Sequence, residues 1–444
     1  MSEAFSVLLP SPVLTALDRL ERAGHAAYLA GGCVRDLLRG VPPHDYDLTT
    51  DALPEETAQV FSDLPVIPTG IKHGTVTVLV GGHPLEITTF RTDGTYSDGR
   101  RPDSVRFTRT IGEDLLRRDF TVNAMAWSPV RGLADPCGGR EDLQNRLLRC
   151  VGDPEVRFSE DALRILRGAR FASCLGFAVE EETERAMLRL IPTLSQVSAE
   201  RISAEFVRLL CGQDVERVLL SYRELIAFFL PELRPCFDFD QRTRHHCYDV
   251  YTHIVKVVAA VPSEPTLRLA ALFHDVAKPS CFVFRDGRGH FPSHPERGEE
   301  ICAAALRRLR IEKKRIRDAC LLIRMHDAYL KQEPVAAAPD LLRAVPPALV
   351  DPLLDLMEAD ASAKADAETS LAHVRTLREA VASLREQHPC LSLRDLAVNG
   401  DDLLAMGIPS GPKMGMVLKD LLDRVSLGEL ENTREALLLA AKKC

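Results

Sequence analysis

The spacing of hydrophobic positions changes along the chain, from a mixture of strand and helix patterns to helix patterns alone. Leu14 to Arg22 carries apolar residues at helical spacing, and Ala27 to Ala30 is a short apolar run typical of a buried strand. Thr75 to Val80 and Pro84 to Phe90 alternate in polarity on either side of a Gly-Gly pair, which predicts a β-hairpin. Residues 1–150 therefore predict an α+β head with a small mixed sheet.

Beyond this head the pattern is helical. Leu, Ile and Phe recur at three- and four-residue steps from 160 to 230, and the helical pattern returns over 240–385, interrupted by the Gly- and Pro-rich stretch Asp286 to Pro295. The proline-rich stretch Ala336 to Pro347 predicts a loop. We expect four parts, which are the head at 1–150, an all-α neck at 151–235, a helical domain at 236–385 and a helical tail at 386–444.

Composition and charge restrict the class of protein. The 444 residues include 56 Lys and Arg against 64 Asp and Glu, a net charge of −8, which excludes a uniformly basic nucleic-acid-coating protein but not a local basic groove. The 12 cysteines form no C-x-x-C pair. We find no signal peptide, and every apolar run is much shorter than the ~20 residues needed to cross a bilayer. We expect a cytoplasmic protein with reduced cysteines, no membrane association and no obligatory protein partner.

Two carboxylates behind a glycine turn are the first candidates for chemistry. Gly31 and Gly32 follow an apolar strand and open a predicted helix, whose free N–H groups could hold a triphosphate. Asp45 and Asp47 lie two residues apart on a predicted strand, so both carboxylates face one side. Mg²⁺ would relieve their repulsion, and metals that bridge carboxylates and phosphates are typical of nucleotidyl transfer. Each motif alone is also common as a solvated strand face or an ordinary turn, whereas the ordered combination is more specific.

An acid and a series of arginines extend this candidate site. Glu86 lies in an apolar strand, where a charge is unfavourable unless it is paired or binds a metal; the alternative is a side chain that faces solvent. Asp161, Arg164 and Arg167 recur every three residues, so they share a face of a predicted helix that Arg170 continues. These four residues could instead form a ladder of salt bridges on a solvated helix.

These motifs resemble those of the class II tRNA nucleotidyltransferases and bacterial poly(A) polymerases. The shared set is GG-x-x-R-D with D-x-D, R-R-D-F-T-x-N-A, D-P-x-G-G and E-D-x-x-R-x-x-R, and residues 91–103 resemble the flexible loop of CCA-adding members. The resemblance implies a polymerase-β-like head in which Asp45 and Asp47 hold Mg²⁺; the strand position of Glu86 makes it the candidate for a third catalytic acid. It also implies nucleotide contacts, with Gly31, Gly32, Arg35 and Arg118 at the triphosphate or ribose, Asp161 and Arg164 at the base, and Arg167 and Arg170 behind them.

The pair at the base suggests selection without a template. The Asp161 carboxylate accepts hydrogen bonds, which suits the exocyclic amine of cytosine or adenine, whereas uracil O4 and guanine O6 would oppose acceptor to acceptor. Arg164 supplies the complementary donors. We therefore predict that CTP and ATP are used and that UTP and GTP are rejected.

Histidines and aspartates recur in the apolar helices of the third part. A single helical histidine is more often a core residue than a ligand, but the order H…HD…H…H…D favours a divalent metal such as Mg²⁺, Mn²⁺, Ni²⁺ or Fe²⁺. This order resembles the HD metal-dependent phosphohydrolases, in which a metal activates a water that attacks a phosphate ester. A vestigial site that only braces the helices is the alternative. The resemblance implies ligands His253, His274, Asp275 and Asp360, a second metal at His294 and His326, and Lys278 at a phosphate.

A basic run is the candidate for RNA binding. Leu306 to Arg317 contains seven Lys and Arg residues and one acid, and it includes Arg308, Lys313, Lys314 and Arg317. A solvated helix face is the alternative. The tail resembles the C-terminal region of CCA-adding enzymes that carry an HD domain.

The leading hypothesis is an enzyme that adds CCA to tRNA from CTP and ATP, fused to a phosphohydrolase for 2′,3′-cyclic phosphates or small phosphate esters. The alternatives are a poly(A) polymerase or a CC- or A-specific tRNA nucleotidyltransferase with a vestigial HD domain, and an HD phosphohydrolase whose head only binds nucleotides or RNA. The stretch 91–103 favours complete CCA addition, because we expect CC-specific members to lack this loop.

Overall fold

The computed structural model describes residues 9–71, 74–94, 104–243, 247–365, 367–387, 393, 395–426 and 429–442. The chain divides into two compact units, Met1–Phe228 and Phe229–Cys444. Within the described ranges, every helix is too short or too polar to cross a bilayer. The four-part division of the sequence stays a prediction.

A seven-stranded mixed sheet and two strand pairs form the β part of the first unit. The strands are β1 (Ala27–Ala30), β2 (Asp47–Thr50), β3 (Val66–Gly70), β4 (Thr75–Val80), β5 (His83–Thr89), β6 (Arg91–Asp93), β7 (Val105–Phe107), β8 (Ala126–Ser128), β9 (Gly132–Ala134), β10 (Leu147–Leu148) and β11 (Ala178–Val179). The sheet has the order β3-β4-β5-β2-β1-β8-β9, and β2 is parallel to β5 but antiparallel to β1. The small mixed sheet and the hairpin of β4 and β5 are thus confirmed.

Helices cover this sheet and continue alone beyond it. They are α1 (Ser11–Arg22), α2 (Gly32–Leu38), α3 (Pro54–Val60), α4 (Ile111–Leu116), α5 (Gly139–Gln144), α6 (Pro154–Glu160), α7 (Leu163–Leu175), α8 (Glu181–Arg189), α9 (Ala199–Leu210), α10 (Val215–Ser221) and α11 (Arg223–Phe229). Leu17 and Leu20 of α1 are fully buried, because the apolar positions of this helix recur on one face. Trp127 of β8 is buried in the core as well.

Two local predictions in the first unit are wrong. Asp45 precedes β2, which begins at Asp47, so the two carboxylates do not share a strand. Asp161 is extended (φ −149°, ψ 103°) between α6 and α7, and its carboxylate accepts a hydrogen bond from the Leu163 amide at 3.1 Å. Asp161 therefore ends one helix and caps the next, whereas Arg164, Arg167 and Arg170 lie on α7. The flexible-loop prediction falls mostly on residues 95–103, which lie outside the described residues; β6 and β7 pair on either side of them.

In its described residues the second unit is helical apart from one small hairpin. Its elements are α12 (Val250–Ala260), α13 (Pro265–Phe273), β12 (Val283–Arg285), β13 (Arg288–His290), α14 (His294–Arg308), α15 (Lys313–Met325), α16 (Pro334–Ala344), α17 (Pro347–Ser362), α18 (Ala367–Gln387), α19 (Gly400–Ala405), α20 (Pro412–Ser426) and α21 (Arg434–Ala441). The loop predicted over 336–347 is wrong. Pro334 and Pro347 occupy the first turns of α16 and α17, where a helix does not need their missing N–H groups.

Candidate functional site

A polar cavity of about 700 Å³ opens in the first unit where the head motifs meet α7. Nine arginines and five aspartates line it, an excess of four positive charges in a chain whose net charge is −8. Such a cavity attracts polyanions. Its lining residues are Gly31, Gly32, Cys33, Arg35, Asp36, His44, Asp45, Asp47, Arg91, Arg117, Arg118, Asp119, Asn123, Asp161, Leu163, Arg164, Arg167, Arg170, Phe171, Arg201 and Arg208.

Gly31 follows β1 and allows an arginine to approach the backbone. Its φ is +82°, and a Cβ built on it would lie 2.6 Å from Nη1 of Arg118. Its N–H donates to the carbonyl oxygen of Met125 at 3.0 Å, which fixes the turn. Only glycine combines this backbone conformation with this close contact. The glycine turn therefore brings the Arg118 guanidinium against the start of α2.

Arg118 is held loosely at the wall of the cavity. Its Nη2 donates to Asp114 at 3.4 Å and its Nη1 to the carbonyl oxygen of Asn123 at 3.5 Å, while its buried Nε has no partner among the described residues. Arg35 is held more tightly, because its Nη1 donates to the Asn123 side chain at 2.7 Å. Burial alone would raise the pKa of Asp114, but Arg117 and Arg118 bring it below its ordinary value. Arg118 thus keeps donor capacity for an anionic ligand.

The three predicted catalytic acids lie near one another in the fold. Asp45, with its side chain 89% exposed, and Asp47 line the arginine-rich cavity. Both also line a second cavity of about 620 Å³ with Glu86, which stands opposite Asp47 across β2 and β5 and is exposed. Burial raises the pKa of Asp47; Arg118 opposes this effect and Asp45 adds to it.

These carboxylates suit a magnesium ion that also binds substrate. Mg²⁺ is usually held by one or two carboxylates together with substrate phosphates, and Asp45 and Asp47 supply such a pair beside the cationic wall. A cation would relieve both the burial of Asp47 and its repulsion by Asp45. Among the described residues, sets of three or more close metal-ligating side chains occur in the second unit only.

The arginines of α7 are braced by buried acids. Arg167 donates from Nε to Asp119 at 2.8 Å, and both Arg167 and Arg170 form ion pairs with Glu205. Burial alone would raise the pKa of Asp119, but the Arg167 guanidinium lowers it to about 2. The Arg170 guanidinium lies 3.6 Å from the ring centroid of Phe171. These contacts fix the rear wall of the cavity.

The two residues predicted to face the base are each held by another partner. Asp161 accepts hydrogen bonds from Arg201 at 3.2 and 2.6 Å, and Arg164 donates to Glu160 at 2.6 Å. Arg201 was missed by the sequence analysis because it lies 40 residues away on α9. A local pattern carries no signal for such a pairing, which only the packing of α9 against α7 creates.

A histidine and aspartate cluster lies in the second unit and is fully buried. His253, His274, Asp275 and Asp360 offer ligand atoms that all lie within 4.8 Å of one another. Nε2 of His253 is 3.0 Å from Asp360 and 3.3 Å from Asp275, and Nε2 of His274 is 3.2 Å from Asp275. Asp275, His294 and His326 form a second set, so Asp275 belongs to both. The cluster joins α12, α13, α14, α15 and α17.

The imidazoles are oriented for metal binding. Nδ1 of His274, His294 and His326 lies 2.7, 2.9 and 2.6 Å from the carbonyl oxygens of Ala271, Phe291 and Ile323. Each Nδ1 therefore carries a proton and donates it to the backbone, which leaves Nε2 as the ring atom that a cation would contact. Three such nitrogens with two carboxylates fit Mg²⁺, Mn²⁺, Ni²⁺ or Fe²⁺, and the two sets contain no thiol.

Two lysines neutralise the aspartates of this cluster. Nζ of Lys278 lies 2.7 Å from Asp275, and Nζ of Lys364 lies 2.6 Å from Asp360. Burial alone would raise both carboxyl pKa values, but His274 and Lys278 hold the pKa of Asp275 well below its ordinary range, as Lys364 and His253 do for Asp360. The aspartates are thus held in the charged form that a metal requires.

The predicted RNA-binding side chains differ in their availability. Arg308 pairs with Glu232 at 2.6 Å, and Arg317 pairs with Asp318 at 3.1 Å. Lys313 and Lys314 are exposed at the start of α15. The two lysines are therefore the stronger candidates for phosphate contacts.

Comparisons with known proteins cover the head, the neck and the tail. The family described as Poly A polymerase head domain matches residues 27–149. The family described as Probable RNA and SrmB- binding site of polymerase A matches 176–237, and tRNA nucleotidyltransferase domain 2 matches 354–441.

Individual relatives extend this similarity to nearly the whole chain. The CCA-adding enzyme of Limosilactobacillus fermentum is 34% identical over 442 residues, which cover 97% of this chain and 96% of that protein. The CCA-adding enzyme of Lactobacillus delbrueckii subsp. bulgaricus is 46% identical over 235 residues. This match covers 53% of this chain and 57% of that relative, so the chain spans about half of the relative's length. The crystal structure of the Bacillus stearothermophilus CCA-adding enzyme in complex with CTP has a TM-score of 0.70 at 31% identity and covers 98% of both chains.

Proposed function

Because the chain belongs to the family of CCA-adding enzymes and poly(A) polymerases, we propose that it builds or repairs the CCA end of tRNA from CTP and ATP. The observation that carries the proposal is the shared cavity in which Asp45, Asp47, Gly31 and Arg118 meet. The CTP named for the similar Bacillus stearothermophilus structure supports it further. An enzyme with these substrates would work in the cytoplasm.

The reaction joins the 3′-oxygen of RNA to the α-phosphorus of the nucleotide and releases pyrophosphate. Mg²⁺ held by Asp45 and Asp47, with Glu86 beside them, would supply the charge that favours the attacking oxygen and the departing pyrophosphate. Arg118 has donors to spare, so it would bind the triphosphate, while Arg35 would hold the ribose or a phosphate from the opposite side of the turn. The braced guanidinium groups are in position before substrate arrives, which is the most effective form of electrostatic stabilisation.

Base selection would use the acceptor left on Asp161. Its Oδ1 accepts from the Leu163 amide and from Arg201, whereas its Oδ2 accepts from Arg201 alone. Each carboxylate oxygen has two lone pairs, so Oδ2 retains one for the amine of cytosine or adenine. Arg201 would thus aim the acceptor, and Arg164, held by Glu160, would supply the complementary donors.

Incubation with tRNA that lacks its 3′ end and each labelled NTP in turn tests this function. We expect CTP and ATP to be incorporated and UTP and GTP to be rejected, and Asp47→Asn to abolish incorporation. Asp161→Asn should relax the choice of base, because an amide presents both a donor and an acceptor. Long runs of adenosine would instead identify a poly(A) polymerase, and products that stop after CC would identify a CC-specific enzyme.

We also propose a metal-dependent phosphohydrolase in the second unit, acting on 2′,3′-cyclic phosphates or small phosphate esters, with residues 236–385 as its domain. The histidine and aspartate cluster carries this proposal. A divalent metal at this cluster would polarise the phosphate ester and activate water. Lys278, whose Nζ contacts Asp275, would neutralise the phosphate.

Paired variants separate the two activities. Hydrolysis of 2′,3′-cyclic AMP and p-nitrophenyl phosphate is measured after loading with Mg²⁺, Mn²⁺, Ni²⁺ or Fe²⁺. We expect His274→Gln to lose hydrolysis and keep nucleotide incorporation, and Asp47→Asn to show the reverse. Absence of hydrolysis with every metal, together with lower thermal stability of His274→Gln, would favour the vestigial, bracing role.

RNA binding by Lys313, Lys314 and the tail at 386–444 completes the proposal. Helices α19, α20 and α21 share a buried core of their own, so the tail presents a folded surface. We expect the backbone amides and helix N-termini of this surface to contact tRNA and to recognise its shape.

A further inference from the structure

The hairpin of β12 and β13 exposes an aromatic ring and several arginines beside the metal-ligating cluster. Every residue of β12 is exposed, and Phe284 at its centre is 55% exposed. Asp286 and Gly287 join the strands with φ values of 54° and 73°, as in a tight two-residue turn. Arg285 and Arg288 flank this turn directly opposite each other. Single exposed phenylalanines are common on protein surfaces, so only the residues around Phe284 can indicate whether it binds a ligand.

A series of aromatic rings connects the metal-ligating cluster to this hairpin. Nζ of Lys278, which contacts Asp275, lies 5.3 Å from the ring centroid of Phe291. The ring of Phe291 lies 5.7 Å from that of Phe282. A Cβ on Gly289 would lie 2.8 Å from the ring of Phe282, and Gly289 is the residue that pairs with Phe284, so the two rings lie on one face of the hairpin. The carbonyl oxygen of Phe291 also accepts the hydrogen bond from His294, so the series begins at a ligand of the cluster.

Backbone contacts fix the hairpin relative to this lysine. The N–H of Gly289 donates to the carbonyl oxygen of Arg242 at 2.9 Å, and a Cβ on Gly289 would lie 2.3 Å from the carbonyl oxygen of Gln241. The side chain of Gln241 accepts a hydrogen bond from Lys278 at 2.9 Å. The segment that holds the hairpin thus also holds the lysine, and an aromatic face is built at a fixed distance from the cluster.

The charge of this face favours an anionic partner. The Arg242 guanidinium lies 5.9 Å from the ring of Phe284. Within the part of the chain that the structure describes, Arg242, Arg285 and Arg288 form no ion pair, unlike most arginines of the first unit's cavity. Aromatic rings that alternate with such arginines are typical of surfaces that stack bases and hold the nucleic-acid backbone.

We propose that Phe282, Phe284 and the three arginines form the base subsite of the phosphohydrolase site. The ligand would be a nucleoside phosphate, either free or at the 3′ end of an RNA, with its base stacked on Phe284 and its phosphate directed toward Lys278. This inference rests on the proposed phosphohydrolase, but it concerns recognition and is tested separately. It predicts that a nucleotide is preferred to a phosphate ester that carries no base.

The test compares Phe284→Leu with wild type, and Val283→Ala is the matched control because Val283 is 41% exposed on the other face of the strand. Adenosine 3′-monophosphate binding to the metal-free protein is measured by calorimetry. Hydrolysis of 2′,3′-cyclic AMP, of a short RNA ending in a cyclic phosphate and of glycerol 2-phosphate, which carries no aromatic ring, is measured with metal. Stacking of a base on an aromatic side chain typically contributes about 1–3 kcal/mol, so Phe284→Leu should weaken nucleotide binding by roughly 5- to 150-fold. Hydrolysis of glycerol 2-phosphate, which has no ring to stack, should not change. A stronger effect on the RNA than on the mononucleotide would identify the RNA end as the source.

The outcomes separate recognition from catalysis. If the metal-loaded protein hydrolyses glycerol 2-phosphate and Phe284→Leu binds the nucleotide as wild type does, the base subsite is refuted and the phosphohydrolase stands. If no hydrolysis occurs but Phe284→Leu alone loses nucleotide binding, the subsite stands and the phosphohydrolase is refuted. An equal loss in Val283→Ala would mean that the hairpin only needs to be intact, which also refutes the subsite. Nucleotide incorporation into tRNA should be unaffected by either variant.

Discussion

The substitution Gly31→Ala tests whether the glycine turn exists to position Arg118. Gly31 has a φ of +82°, and a Cβ there would lie 2.6 Å from Nη1 of Arg118. Gly40 is the matched control, since its φ is +72° and a Cβ would meet nothing within 4 Å. Both alanines place a Cβ at a positive φ, which strains any residue except glycine. Only the first one pushes a guanidinium away from its place.

The size of the effect follows from what Arg118 loses. At 2.6 Å the guanidinium must shift, and its existing hydrogen bonds of 3.4 and 3.5 Å are too long to resist. A displaced guanidinium forfeits one hydrogen bond to a charged phosphate, about 1.5–3 kcal/mol. We therefore expect Gly31→Ala to lower kcat/KM for CTP by roughly 10- to 150-fold. Gly40→Ala should change kcat/KM little.

Steady-state incorporation of labelled CTP into tRNA that lacks its 3′ end measures the effect, and urea unfolding checks that both variants are fully folded under the conditions of the assay. In an Arg118→Ala background the clash is gone, so Gly31→Ala should add little further loss of kcat/KM. The reasoning is refuted if the Gly40 variant is impaired as strongly, or if the loss from Gly31→Ala is undiminished in the Arg118→Ala background.

Three further predictions concern the buried acids and the basic helix. Arg167→Met should lower the free energy of unfolding at pH 7 by about 3 kcal/mol, because it leaves Asp119 charged and buried. The pKa of Asp119 is about 2 in the folded protein and 3.8 in the unfolded chain, so the stabilisation is complete above pH 3.8 and is lost as the pH falls through 2. The free energies of unfolding of wild type and variant, measured in urea, should therefore converge near pH 2. Asp275→Asn should remove metal from both ligand sets, so the metal content measured by mass spectrometry should fall to background, and retention of one equivalent would contradict its shared position. Lys313→Ala and Lys314→Ala should each weaken tRNA binding and reduce the slope of log K against log salt by about one, whereas an unchanged slope would mean that these lysines contact no phosphate.

The parts of the fold that the sequence predicts are those set by local pattern. The hairpin of Thr75–Val80 and the strand Ala27–Ala30 follow from alternation, glycine and apolar runs, which act between neighbours in the chain. The motifs of the head indicated the family because their residue types and their order can also be read directly from the sequence. The histidine and aspartate spacing predicted ligands that do converge, because an imidazole buried in an apolar helix needs a polar partner or a metal to offset its desolvation.

The errors arise where tertiary contacts override local preference. Ala336 to Pro347 contains prolines that favour a loop, yet Pro347 lies in the first turn of α17, Pro346 directly precedes it, and Pro339 is accommodated inside α16. Asp161 fits a helical three-residue step but caps α7 instead. Its partner Arg201 comes from another helix, and no pattern over a few residues contains that information. Side-chain pairing across the fold therefore had to come from the structure.

The pairing of its arginines would allow an acidic chain to hold the proposed triphosphate selectively. Uniform positive charge would bind any polyanion and would weaken steeply with salt. In this cavity Arg167 is tied to Asp119 and Arg201 to Asp161, so much of the charge is already compensated and fixed in direction. Arg118 makes only long hydrogen bonds, and its Nε has no partner among the described residues. It is therefore the arginine most able to turn toward a bound anion. In the proposed reaction, discrimination between ligands would then depend on geometry at Arg118 and Asp161 more than on total charge. Salt should therefore weaken the selection of bases less than it weakens the binding of RNA.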